Sequence, residues 1–293
     1  MIVGKSFESN PTDTVQMIDN PTPSANQIAA VVDTILKALD DRRQIKPLTG
    51  YMDWLDLTCA YQLAADVRAR RMARGETPIG RKIGFTNRTI WEEYGVYAPI
   101  WGDVYDTTVT TLNATNGLCD LSRLIEPRIE PEIVFELKSA PHSDMPDIEF
   151  TACISRVAHG FEIVQSLFPG WIFKAPDTVA AFGLHGHLFL APWSDLTPQN
   201  QEEWSNTLAN FEITLARDGN AVDVGHAKNV LDGPLFALRH LCQTLENDPN
   251  SPQLQPGEIV STGTLTRAFI IEPGQTWTTS LRGIALDGIK LST

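Results

Sequence analysis

Residues 127–137 read PRIEPEIVFEL, and the rest of the chain is best understood outward from this run. Ile129, Ile133, Phe135 and Leu137 share one parity; Arg128, Glu130, Glu132, Val134 and Glu136 share the other. A period of two predicts a strand whose successive side chains point to opposite faces. Glu130 and Glu132 then lie side by side on one face of an apolar run. Carboxylates so placed repel, and burying either charge alone is costly. Two readings stay open on spacing alone. One is an exposed polar face on an edge strand, with Arg128 as a partner. The other is coordination of a hard divalent ion such as Mg²⁺ or Mn²⁺, which prefers carboxylate oxygens and turns repulsion into attraction. Two glutamates supply too little of an octahedral shell, and Glu162, in the apolar run HGFEIVQS, is the candidate third ligand.

Upstream, a polar, Pro-rich lead over residues 1–24 gives way to a helical pattern. Ile28, Val31, Val32, Ile35, Leu36 and Leu39 recur at spacings of three and four, with Ser24 as N-cap. A second helix is expected from near Asp56 to Arg74, stopped by Gly75. Its tail, VRARRMARG, reads as a solvated basic end favoured by the helix dipole. From Gly80 onward, short β-like runs alternate with Gly, Pro and Asp-Gly turns, and Asp218-Gly219 marks a hairpin. Two helices interrupt them, over roughly Asp147–Ala158 and Pro234–Asn247. The expected architecture is α+β: a helical part over 1–79 packed on a β-rich domain over 80–293.

Further polar residues stand in apolar runs. Lys82, in GRKIGFT, is either a snorkelling lysine or a partly buried cation for a substrate carboxylate or a proton. Lys174 and Asp177, in FKAPDTVAAFG, pose the same choice, with a plain salt bridge as the alternative. His185-Gly-His187 would aim two imidazoles one way on a strand. No glutamate follows as a third ligand, so they read as separate histidines. Ser261–Thr266, STGTLT, offers hydroxyls and backbone N–H groups to an anion, or is an ordinary turn.

The composition narrows the classes. The 293 residues carry a formal net charge of −13, which argues against nucleic acid and anionic membranes as partners. Four scattered cysteines fit neither a zinc ribbon nor a disulfide framework, and a reducing compartment is expected. The polar N-terminus does not read as a signal peptide, and no apolar run approaches the roughly 18 residues of a membrane span. A cytoplasmic enzyme is the expectation.

Taken in order, GRKIGFTNRTIWEEYGV, PRIEPEIVFEL, HGFEIVQS, KAPDTVA and GEIVSTGTLT resemble the 2-keto-4-pentenoate hydratase / 4-oxalocrotonate decarboxylase family, within the fumarylacetoacetate hydrolase superfamily. The resemblance covers nearly all of the chain from about residue 50, except parts of 190–208. It implies a mixed β-roll or barrel-like sheet with flanking helices, in homo-oligomers. It implies one Mg²⁺ or Mn²⁺ on Glu130, Glu132 and Glu162, with Lys82, Lys174 and Asp177 catalytic. Gly263 and Thr264 fall in the substrate-holding segment. The chain departs from the family at three places: Ile100 fills a slot where hydratases often carry aspartate, Gln165-Ser166-Leu167 replaces D-S-R, and His185 stands where a small hydroxyl is typical. Ile100 and His185 are therefore expected to shape the substrate pocket.

The activity implied is hydration of a small 2-oxo or 2-hydroxydienoate acid, as in aromatic catabolism, through an enolate that the ion stabilises. A 4-oxalocrotonate-type decarboxylase is the alternative, closer to the family pattern at Ile100. Two further alternatives are a C–C bond hydrolase, with His159 beside Glu162, and a non-catalytic 2-oxo-acid-binding partner of a pathway enzyme.

Overall fold

The structure, a computed structural model, describes residues 23–293, so the expected N-terminal arm lies outside the described residues except for its end. The elements in chain order are α1 (Ala25–Asp40), α2 (Leu57–Ala73), β1 (Pro78–Gly84), α3 (Trp91–Tyr94), β2 (Ile100–Tyr105), β3 (Val109–Thr111), β4 (Asn116–Leu118) and β5 (Arg128–Leu137). Then come α4 (Asp147–Ala152), β6 (Ile154–Val164), α5 (Ala175–Ala180), β7 (His185–Leu190), β8 (Ser194–Asp195), α6 (Gln201–Asn210), β9 (Glu212–Arg217) and β10 (Asn220–His226). The chain closes with α7 (Pro234–Glu246), β11 (Ile259–Ser261), β12 (Phe269–Ile270), β13 (Thr276–Arg282) and β14 (Lys290–Ser292).

The two N-terminal helices form where the spacing predicts them. Ser24 and Gln27 make a reciprocal capping box at α1, and Asp56 caps α2 through the Cys59 N–H at 2.8 Å. Val32, Ile35, Leu36 and Leu63 pack with Ile100, Phe168, Val179 and Phe182 in one apolar cluster. The basic tail of α2 corrects its reading as a solvated end. Arg71 is buried against the Tyr105 ring at 3.7 Å and pairs with Glu76, while Arg68 reaches Asp103 at 2.6 Å. Aromatic and acidic partners on β2 and in the turn between α2 and β1 draw these side chains inward.

The larger sheet is mixed and curled into a half-barrel, in the order β2-β1-β11-β5-β6-β7-β3, with β12 also pairing β5 and β8 also pairing β6. A second sheet runs β10-β9-β13-β14-β4. Asp218 (φ 50°) and Gly219 (φ 81°) turn the β9–β10 hairpin in the left-handed region, as a tight Asp-Gly turn requires. Strand β5 has a partner on each side, so the edge-strand reading of PRIEPEIVFEL is overturned. Its odd-numbered side chains Ile133, Phe135 and Leu137 enter the main core with Val260, Leu241 and Leu245. The helix expected over Asp147–Ala158 also needs correction. It stops at Ala152, because Ile154 to Val164 pair with β5 along its whole length, and that pairing outweighs local preference.

His159 ties the two sheets together. Its Nδ1 lies 2.9 Å from the Glu132 carbonyl, which only accepts, so Nδ1 carries the proton. Nε2 then accepts from Thr279 Oγ1 at 2.8 Å, and that oxygen accepts from the Ile289 N–H at 2.9 Å. Burial pushes the His159 pKa down to about 4, against the pull of the Glu132 carbonyl. The unfolded imidazole binds its proton near pH 6.5 and the buried one does not, so this site loses stability as pH falls from 6.5 to 4. The stability difference between wild type and His159→Gln should therefore shrink by up to about 3 kcal/mol over that window. Denaturant midpoints taken at several pH values would show it, and a pH-independent difference would contradict the assignment.

Candidate metal centre and adjoining cleft

The β5–β6 register sets Glu130 directly opposite Glu162 and Glu132 opposite Gly160. Paired residues of antiparallel strands share a face, so the three carboxylates converge. Their oxygens lie within 4.8 Å of one another, and among the described residues no other group of three or more His, Cys, Asp or Glu comes together this way. Glu132 and Glu162 are fully buried, whereas Glu130 keeps partial exposure towards a cleft.

Neighbouring strands supply the partners. Strand β11 pairs with β5 on one side and β1 on the other, placing Ser261 beside Val134 and Lys82 beside Ser261. Ser261 Oγ and the Gly263 N–H, the latter at 2.8 Å, donate to Glu132 Oε2. Only glycine serves at 263: φ is +97°, and a Cβ would fall 1.9 Å from Thr86 Oγ1. Lys82 Nζ lies 3.1 Å from Glu162 Oε2 and donates to the Gly183 carbonyl at 3.0 Å. Glu162 Oε1 is 2.7 Å from His185 Nδ1, whose Nε2 is 2.9 Å from Thr108 Oγ1.

These partners do not balance the charge. Burial and the Glu162 charge push Glu130 up to about 7, against Lys82 and Arg128. Burial, with both neighbouring carboxylates, holds Glu132 well above the usual range. Burial opposes the charge of Glu162 too, but Lys82 and His185 prevail and hold it down to about 2. Lys82 is raised despite burial, by the glutamates around it. Glu132 Oε1 is buried with no hydrogen-bond partner. Three convergent carboxylates, one with a buried and unpartnered oxygen, fit a hard divalent ion such as Mg²⁺ that prefers oxygen ligands.

A cleft adjoins the cluster and is lined by Lys82, Glu130, Thr264, Phe85, Tyr94 and Trp171 among others. Thr264 Oγ1 is held by the Thr266 carbonyl at 3.0 Å. The remaining expected site residues stand elsewhere. His185 is buried behind Glu162, and Ile100 lies in the helical core, where β2 pairs it with Gly84. Asp177 is buried and accepts from Thr49 N (2.9 Å), Thr49 Oγ1 (2.6 Å) and Lys174 N (2.8 Å). The Lys174 side chain is exposed and makes no salt bridge with Asp177 among the described contacts. His187 turns to Thr110 Oγ1 at 2.8 Å, so the two histidines of H-x-H do not converge. His159 lies on the opposite face from Glu162, which removes the hydrolase pairing. Sequence reasoning missed the Gly183 carbonyl, a backbone group with no side-chain signal. It also missed the Tyr94–Trp171 wall, assembled from residues far apart in the chain.

No family model matches the chain. Among solved structures it superposes on 4-oxalocrotonate decarboxylase from Pseudomonas putida G7, complexed with magnesium and adipate, with TM-score 0.82 and 24% identity over 93% of this chain and 99% of that one. A fumarylacetoacetate isomerase/hydrolase-like protein from Oleispira antarctica matches at TM-score 0.53, with 16% identity over 73% of this chain and 93% of that one. The fold is that of the fumarylacetoacetate hydrolase superfamily. Among characterised sequences, a 4-oxalocrotonate decarboxylase of Pseudomonas sp. is 27% identical over 206 residues, 70% of this chain and 75% of the relative. A 2-hydroxypent-2,4-dienoate hydratase of Pseudomonas putida is 28% identical over 214 residues, 73% and 93%. A 2-keto-4-pentenoate hydratase of Paraburkholderia xenovorans is 26% identical over 264 residues, 90% and 93%. The chain is homologous to the hydratase and decarboxylase branch that its motifs resemble.

Mg²⁺ or Mn²⁺ at one hundred times its Kd should stabilise the folded chain by about 2.7 kcal/mol. Glu132→Gln should abolish that response and yet raise the stability of the metal-free protein, because it removes one buried like charge and keeps an oxygen for Ser261 and Gly263. Thermal melts with and without the ion test both signs. A metal-responsive Glu132→Gln protein would remove Glu132 from the ligand set.

Proposed function

We propose that the protein is a divalent-metal-dependent lyase acting on a small 2-oxo acid through its enolate. The observation that carries this reading is the buried, partnerless Oε1 of Glu132 within a three-carboxylate cluster beside a cleft. Glu130, Glu132 and Glu162 would hold Mg²⁺ or Mn²⁺, which when bound supplies Lewis acidity to a carboxylate and its neighbouring oxygen. The names of the homologues, hydratases and decarboxylases, support the same class.

Lys82 donates to the Gly183 carbonyl and stands as an ion pair beside Glu162, which leaves N–H capacity for a substrate oxygen. It anchors the substrate carboxylate and returns a proton to the enolate carbon. Phe85, Tyr94 and Trp171 keep bulk water from the reacting carbons, and Thr264 faces the substrate from the wall. His185 orients Glu162, Ile100 backs the cleft behind Gly84, and Asp177, through Thr49 and the Lys174 N–H, fixes the start of α5. A homo-oligomer, association with a pathway enzyme and a cytoplasmic location belong to the same proposal.

Hydration of a 2-hydroxydienoate is the reading that the motifs lead with. One observation favours a second reading, decarboxylation of a vinylogous 2-oxo diacid. Among the described residues, the cleft wall carries no carboxylate or imidazole besides Glu130 to activate a water. Incubation with 2-hydroxypenta-2,4-dienoate and with 4-oxalocrotonate plus Mg²⁺, following dienol absorbance and carbon dioxide release, separates the two. Lys82→Met should lower turnover by roughly 10²–10⁴-fold while tightening Mg²⁺ binding, since it removes a cation beside the ligands. Protein that binds oxalate in the presence of Mg²⁺ but turns over neither acid would instead be a binding subunit.

A further inference from the structure

A second cavity, of about 130 Å³, opens among α4, α6 and α7 and shares no lining residue with the cleft beside the glutamates. Its walls are largely apolar: Phe150 from α4, Leu208 from α6, and Leu235 and Phe236 from α7. An apolar cavity of about 150 Å³ takes a benzene ring, so the space suits one such ring. One end of the cavity offers donors without acceptors. Helix α7 runs 13 residues from Pro234, and its N-cap is Gly233, which has no side chain to cap it. Proline lacks an N–H, so the first free donors are the N–H groups of Leu235 and Phe236. Neither has an acceptor among the described contacts, and no acidic side chain stands in that first turn. A helix start of this kind carries partial positive charge and favours an anion.

A side chain from another element adds to it. Thr151 lines the cavity and is only 2% exposed, yet its hydroxyl makes no hydrogen bond among the described contacts. A buried hydroxyl calls for a partner. Ser205 differs, because its Oγ donates to the Gln201 carbonyl at 3.0 Å. Asp147, the one carboxylate on the wall, is matched by Arg239, whose Nη2 lies 2.9 Å from it. Arg239 Nη1 donates to the Ser143 and Met145 carbonyls at 2.6 and 2.8 Å, and the guanidinium covers the Phe150 ring at 4.1 Å. The wall therefore carries no unmatched negative charge.

We propose that this cavity is a binding site for a small aromatic monocarboxylate of about the size of benzoate. The ring fills the space between Phe150, Leu208 and Leu235, and the carboxylate accepts from the Leu235 and Phe236 N–H groups and the Thr151 hydroxyl. Two N–H groups that can only donate require an acceptor, and the apolar walls favour a ring over a bare anion. The site is separate from the metal-dependent reading and does not rest on it.

The test is calorimetric titration of the metal-free full chain with benzoate, with acetate, which lacks the ring, and with benzyl alcohol, which lacks the charge. Benzoate should bind roughly tenfold more tightly than either. Thr151→Val, which keeps the shape and removes the hydroxyl, should weaken benzoate by about tenfold. Ser205→Phe, which fills the space from α6, should abolish benzoate binding, and a cooperative melt verifies that this variant folds. Benzoate affinity should stay within about twofold in Glu132→Gln and with saturating Mg²⁺, since neither touches this cavity. Equal binding of benzoate and acetate, benzoate binding that survives Ser205→Phe or is unchanged by Thr151→Val, or binding that requires Mg²⁺ overturns the site. Each of these results leaves the reading of the glutamate cluster standing.

Discussion

Three carboxylates on one buried face are the constraint that the surrounding structure answers. Two unit charges 4 Å apart cost about 4 kcal/mol at an effective dielectric of 20, and this site holds three pairs. The fold meets them with one lysine, one histidine, one hydroxyl and one backbone N–H, which leaves an excess of negative charge and two buried oxygens, Glu132 Oε1 and Glu162 Oε2, without a hydrogen bond. Replacing the cluster with apolar residues would give a quieter core. Its presence is intelligible as a site that would hold a divalent cation, at a stability cost that such an ion offsets when it binds.

Sheet order makes the cluster possible. An antiparallel β5–β6 pair is enough to bring Glu130 and Glu162 face to face, but the donors come from both extremes of the β-rich region. Strand β11, from near the C-terminus, inserts between β5 and β1, so that Ser261 reaches Glu132 while Lys82 stands one strand further on. Beyond β11 the chain turns at Gly263, close against Thr86, and that closeness aims its N–H at the same carboxylate oxygen. On the other face His159 fixes the carbonyl of Glu132, so both the side chain and the backbone of this ligand are held.

Much of this was legible in the sequence, for identifiable reasons. The helices α1, α2 and α7, opened by Ser24, Asp56 and Pro234, and the Asp-Gly hairpin follow from local chemistry, and the structure places them with boundaries shifted by a residue or so. The spacing of Glu130 and Glu132 foretold their shared face, and Glu162 stood out as a carboxylate in an apolar run, but its place opposite Glu130 comes from the β5–β6 register. What local chemistry does not carry is pairing. The Asp147–Ala158 segment read as one helix because the demand of β5 for a long partner is invisible locally, and β5 itself read as a candidate edge for the same reason. His185 carried a true signal, an unusual residue in an otherwise familiar segment, but its orientation behind Glu162 depended on the β7 register. Lys174 and Asp177 stood out as polar residues in an apolar run, yet the partner that buries Asp177 is Thr49, 128 residues away.

That long-range contact explains how the N-terminal helices bear on the chemistry. Asp177 fastens α5 to the turn at Leu48–Gly50, and α5 leads directly into Phe182, Gly183 and Leu184. All three have positive φ, 63°, 62° and 64°. Left-handed geometry costs a non-glycine residue about 1–2 kcal/mol, so this turn persists only where packing over-determines it. Phe182 and Leu184 are buried in the cluster that α1 and α2 build, which provides that packing. The turn presents the Gly183 carbonyl to Lys82 Nζ, and Gly102 approaches so closely that a Cβ there would meet the Phe182 carbonyl at 2.6 Å. The helices thus reach the site without lining it, by holding a strained turn whose carbonyl seats the lysine beside Glu162.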